Sequence, residues 1–123
     1  MTVIRYADAP RFELPGVEFV GLAAPSRGSA DICTWRLVVA PNRAEPEPHT
    51  LDQDEIFMVV SGAVRVTPDG PELGQGDTAV VPARSPIQLV NTGTGPAELI
   101  VAIRAGFVGT MPDGSTISPP WAS

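Results

Sequence analysis

Turn-forming residues interrupt this chain so often that no stretch sustains a helical period. Glycine occurs 12 times and proline 14 times among 123 residues. Proline lacks the backbone N–H that helix interiors and central strands need, and both residues gather in turns. Between them lie short apolar or alternating segments, which predict strands at 17–23, 31–40, 56–60, 63–67, 78–82, 87–91 and 99–103. In 31–40, Trp35, Leu37 and Val39 fall on one face. The segment 41–48 carries Pro41, Pro46 and Pro48 and reads as neither helix nor central strand. Ser61-Gly62 has the form of a two-residue hairpin turn, and Asp69-Gly70 marks another turn. Many short strands with regular turns predict an all-β sandwich or barrel.

A chain of this length makes one domain, and one core is feasible without disulfides. Cys33 is the only cysteine, so no internal bridge exists, and its apolar neighbours predict a buried, inert thiol. Fourteen acidic and eight basic residues give a net charge of −6 with no basic run. That balance argues against binding a phosphate backbone or an anionic membrane. The first residues lack the apolar core of a signal peptide, and the apolar runs are far too short to span a bilayer. The expectation is a cytoplasmic protein without nucleic-acid or membrane partners. Strands 56–60 and 99–103 are apolar without alternation, so both faces want cover. One face can line a barrel; the other needs a second sheet or a second subunit, and a homodimer is expected.

The run Pro48-His49-Thr50-Leu51-Asp52-Gln53-Asp54-Glu55 is followed, six residues on, by Gly62. Gly76, Pro82 and Asn91 then recur at set intervals. This spacing resembles the two sequence motifs of the cupin superfamily over roughly residues 34–104. His49, Glu55 and Gly62 match the first motif, while Leu51 stands at its second histidine and Arg43 at its opening glycine. In the second motif Arg84 stands at the inner glycine and Ile87 at the histidine. The resemblance implies a double-stranded β-helix, or jelly-roll barrel, as a single domain over 1–123. Its core barrel would span about 30–105, with a C-terminal strap over 106–123. The strap resembles the ending of small bacterial cupins, and Met111, Ile117 and Trp121 are apolar anchors that should dock it.

The metal site of the family uses three imidazoles and one carboxylate. His49 is the only histidine here, and Leu51 and Ile87 offer no lone pair. The resemblance therefore implies no metal and no other cofactor. It leaves His49 and Glu55 pointing into the barrel, an imidazole beside a buried carboxylate, which is the minimal acid–base pair. Leu51, Phe57, Val59, Ile87 and Leu89 should line a mainly apolar pocket for a small organic ligand. Arg84 could reach the mouth and pair with a ligand carboxylate, and Arg36 is a second candidate for an inward charge. Three functions fit these residues. One is metal-independent isomerase, cyclase or dehydratase chemistry by His49 and Glu55; another is non-catalytic binding or sensing in the same pocket. The third is a metal-dependent enzyme with an atypical site. Whether the chain is an enzyme stays open at this level.

Overall fold

The computed structural model describes all residues 1–123. Its strands are β1 (Arg11–Leu14), β2 (Val17–Gly21), β3 (Ile32–Val39), β4 (Thr50–Leu51), β5 (Glu55–Ser61) and β6 (Val64–Arg65). They continue as β7 (Thr78–Val81), β8 (Val90–Asn91), β9 (Ala97–Arg104), β10 (Gly109–Thr110) and β11 (Thr116–Ile117). Helical structure is confined to three single 3₁₀ turns, and no helix is long and apolar enough to cross a membrane.

Six strands form the main sheet in the order β1-β2-β3-β9-β5-β7, every neighbour antiparallel. The opposite wall is built from shorter pieces, β11-β10-β4 and β6-β8. Single bridges at Ala44–Val90, His49–Ile87 and Val64–Leu73 join the chain between them. Alternation along the long strands decides which side chains enter the barrel. From β3 these are Cys33, Trp35, Leu37 and Val39; from β9, Ala97, Leu99, Val101 and Ile103, all buried. Register sets them in rows, Phe57–Val101–Trp35 and Val59–Leu99–Leu37, running across the sheet. Glu55 shares the row of Ile103 and Cys33, one step along.

Three expectations are corrected or extended. Ser61-Gly62 does not join a hairpin: β5 pairs with β9 and β7, whereas β6 pairs with β8 on the other wall. The chain turns a corner there, and Gly62 suits it, with a φ of 83° and a position where a Cβ would lie 2.7 Å from Ala97 Cα. The main sheet also begins earlier than the 30–105 core, because β1 and β2 add a hairpin to its edge. Finally, the second faces of β5 and β9 carry half-buried Ile56, Met58, Ile100 and Ala102, and no second sheet of this chain covers them. Beside them Val80 of β7 is 62% exposed.

The C-terminal strap docks through both backbone and rings. β10 pairs with β4, setting Gly109 opposite Leu51, and Asp52 Oδ1 accepts from Val108 N–H at 2.8 Å. Trp121 stacks on Phe19 with centroids 3.8 Å apart and meets Trp35 edge-on at 6.5 Å. Arg27 donates to the Trp121 carbonyl at 3.1 Å, and the Cys33 thiol donates to the Ala122 carbonyl at 3.2 Å. Cys33 is fully buried, and burial pushes its thiol pKa up against the opposing charge of Arg27.

Candidate functional site

Between the inner face of the main sheet and the strap lies a cavity of about 390 Å³. Its walls are mostly apolar. Phe19, Trp35, Leu37 and Phe57 come from the main sheet, Leu51, Ile87 and Leu89 from the opposite wall. The strap closes the remaining side with Phe107, Met111, Ile117 and Trp121. The ionisable side chains that line it are Arg43, Glu45, Glu47, His49 and Glu55.

Local structure fixes the places of His49, Glu45 and Glu55. His49 exchanges two backbone hydrogen bonds with Ile87, His49 N–H to Ile87 O at 3.0 Å and Ile87 N–H to His49 O at 2.8 Å. Glu45 N–H donates to Leu89 O at 3.0 Å, and the Gln88 side-chain amide donates to Glu45 O at 3.0 Å. Pro46 and Pro48 stiffen the stretch between these clamps. The result brings His49 Nδ1 to 3.2 Å from Glu45 Oε2. Glu55 enters from the first position of β5, paired with Val81 on one side and Ile103 on the other. It is 4% exposed.

The electrostatics follow from these positions. Burial pushes the Glu55 carboxyl up to about 8; the charge of His49 opposes that rise and the charge of Glu45 adds to it. At neutral pH Glu55 therefore keeps its proton. Burial alone would lower the His49 pKa, but contact with Glu45 and its charge outweigh it, and the net direction is up.

The other sequence-derived site residues divide. Leu51, Phe57, Ile87 and Leu89 line the cavity together with His49 and Glu55. Val59 is buried on the same face of β5 but does not reach the cavity. Arg84 stands outside it with an exposed side chain, which corrects its expected place at the mouth. Its backbone takes the left-handed conformation, φ 67°, and its N–H donates to Leu51 O at 2.7 Å. The residue thus performs the backbone turn expected of a glycine while its side chain leaves the barrel. Arg36 faces the outer side of β3, where it pairs with Glu98 and lies 5.5 Å from the centre of the Tyr6 ring. The sequence reading missed Glu45, the nearest charged partner of His49. Its signal was a carboxylate four residues ahead of the only histidine, inside a proline-rich segment otherwise read as a connection.

The description "Cupin domain" matches residues 35–103 of this chain. The chain belongs to the cupin family. Solved structures agree on the fold. The polyketide cyclase RemF from Streptomyces resistomycificus superposes with a TM-score of 0.74 at 18% identity, covering 85% of this cupin and 79% of that chain. KdgF from Halomonas sp. gives 0.67 at 20% identity, with 80% and 87% covered. Hydroxypropylphosphonic acid epoxidase from S. wedmorenis gives 0.71 at 16% identity, with 84% and 59% covered. Among curated proteins none matches the sequence.

At the positions that resemble the family's metal motif this cupin has two side chains with a donor atom, His49 and Glu55. Of the four motif positions, Leu51 and Ile87 place buried hydrocarbon where imidazoles would stand, at 7% and 2% exposure. No trio of His, Cys, Asp or Glu side chains has the arrangement to hold an ion. What remains is an imidazole paired with one carboxylate, and a second carboxyl held neutral in an apolar wall.

Proposed function

We propose that this cupin binds a small, mainly apolar or aromatic organic molecule and moves protons on it with His49 and Glu55, independently of a metal. One observation carries the reading: Glu55 is buried, finds no hydrogen-bond partner in the chain, and stands at the end of an apolar cavity. A buried carboxyl without a partner is costly to keep, and a cavity lined by it is where such a cost has chemical use. A carboxyl with its pKa near 8 is mainly an acid at neutral pH, and its ionised fraction is a stronger base than an ordinary carboxylate; the His49 ring, whose protonated form is favoured, donates, and its neutral fraction takes a proton back. Isomerisation, cyclisation and dehydration all need that exchange and no redox partner. Similarity to a polyketide cyclase supports this class by analogy of fold.

The test is proton exchange. Small enolisable aromatic ketones are incubated with the protein in D₂O containing a chelator, and loss of the α-proton signal is followed by NMR. Exchange above the buffer rate is expected, and it should fall by about 100-fold or more in Glu55→Gln and His49→Asn. Exchange abolished by the chelator, or unchanged in both variants, would refute the assignment. Tight binding with no exchange would leave capture rather than conversion as the function.

A further inference from the structure

The five polar side chains of the cavity are not equally engaged. Glu45 and His49 Nδ1 face one another at 3.2 Å. Arg43 Nη1 donates to the Ala44 carbonyl at 2.9 Å, and Glu47 is exposed at the rim. Arg43 Nε and the indole N–H groups of Trp35 and Trp121 also lack partners but are sealed off, which leaves the Glu55 carboxyl and the second ring nitrogen of His49, Nε2, as unpartnered groups open to the cavity. Neither has a partner in the chain, and neither is among the polar atoms sealed off from the cavity. The walls beside them, Leu51, Phe57 and Ile87, supply no polar atom, and β1, β2, β3, β9 and the strap bring no ionisable side chain to the cavity. Whatever satisfies these two groups has to come with the ligand.

Their protonation says what the ligand must offer. Burial keeps Glu55 a neutral acid, so it presents an O–H. Glu45 lies 3.2 Å from Nδ1 and favours the protonated ring, and below the raised His49 pKa Nε2 presents an N–H. With Glu55 neutral, the protonated ring and Arg43 are matched by Glu45 and Glu47, so the lining side chains carry no net charge. Two donors on neutral ground suit an oxygen acceptor. A cationic ligand would need Glu55 ionised, and a doubly charged anion would meet no surplus of positive charge, since Arg43 and the His49 ring are matched by Glu45 and Glu47.

We propose that Glu55 and His49 form an oxygen-receiving pocket, in which both unpartnered groups hydrogen-bond one carbonyl, enol or phenol oxygen of a flat, mainly apolar ligand. Glu45 is a positioning residue that holds His49 for this task. The ring system lies against Trp35, Phe57 and the strap. The proposal rests on the cavity taking a small organic molecule, as argued above, and adds the chemical class. Charge that develops on such an oxygen is met by two preset donors set in mainly apolar walls.

The test uses naphthalene, 2-naphthol and 1-naphthylmethylammonium as fluorescent probes of like shape. At about pH 6, the wild type should bind 2-naphthol about tenfold or more tightly than naphthalene. That preference should fade as pH rises past about 8, when Glu55 loses its proton. Glu55→Gln keeps a donor that does not titrate, so it should lose less of its preference at the higher pH than the wild type does, the remaining loss being that of the His49 N–H. Glu55→Leu should bind both neutral probes alike, and the glutamine variant carries the argument should leucine fail to fold. In Glu45→Gln the wild-type preference should shrink at about pH 7, in step with a lower His49 pKa seen by NMR. Equal binding of naphthalene and 2-naphthol to the wild type would overturn the oxygen pocket alone. Tightest binding of the ammonium probe would also overturn it, and would show Glu55 acting as an anion. Failure of both neutral probes to bind would overturn the ligand cavity and the proposal together.

Discussion

Glu55→Gln removes an ionisable proton while keeping the size of the side chain, so its effect on folding should depend on pH in a way that can be worked out. In the unfolded chain the carboxyl titrates near 4.5; in the fold, burial holds it near 8. Between those values the native state binds a proton that the unfolded state has lost. Stability of the wild type must then fall as pH rises, by about 1.4 kcal/mol per pH unit. The contribution is fully present below about pH 4.5 and gone above about pH 8, and the whole span is worth at most about 5 kcal/mol. That is large beside the 5–15 kcal/mol or so of a typical domain. His49 adds a slope of the same sign: its raised pKa gives stability present below the unfolded value and lost as pH climbs through the folded one. The glutamine variant keeps the His49 slope and loses that of Glu55. Urea unfolding of both proteins at about pH 5, 6, 7, 8 and 9 measures the difference. The variant should gain on the wild type steadily up to about pH 8 and level off beyond it. A difference that stays constant across this range would mean that Glu55 titrates as an ordinary surface carboxyl, and the account of the site would fail at its root.

Three further outcomes are expected. In an NMR titration the imidazole needs no assignment, because His49 is the only histidine; its pKa should stand above 6.5 and drop more in Glu45→Gln than in Glu55→Gln. A larger drop in the second variant would make Glu55 the true partner. Trp121→Ala should destabilise the fold by about 2 kcal/mol, since a half-buried ring stacked on Phe19 loses part of what a fully buried one would; an unchanged melting temperature would show the strap to be idle. Light scattering behind a size-exclusion column should give twice the chain mass, because the outer face with Ile56, Met58, Val80 and Ile100 lacks cover; a monomer at micromolar concentration would refute that.

The barrel was legible in the sequence because alternation and turn residues act locally. The burial of Cys33, Trp35, Leu37 and Val39 follows from a period of two along one strand. The hairpin expected at Ser61-Gly62 failed because turn chemistry says that the chain bends, not which strand it bends toward. The position of His49 and Glu55 at one cavity came from motif spacing. Their surroundings did not, since the Glu45 contact depends on two backbone clamps between 45–49 and 87–89, some forty residues apart in the chain. Arg84 was misplaced for a related reason: its spacing was right, but a left-handed backbone angle directed the side chain outward.

The division of the cavity walls bears on how such a protein changes over generations. The proton-handling end is set by the 43–49 segment and by β5, both tied into the barrel by backbone hydrogen bonds. The far side is supplied by the strap, whose Met111 and Ile117 reach the cavity from a short hairpin packed against a single strand edge. Substitutions in that hairpin can reshape the space for a ligand while leaving the sheet and its acid–base end intact. Drift in one short segment would then redirect the choice of molecule and keep the chemistry.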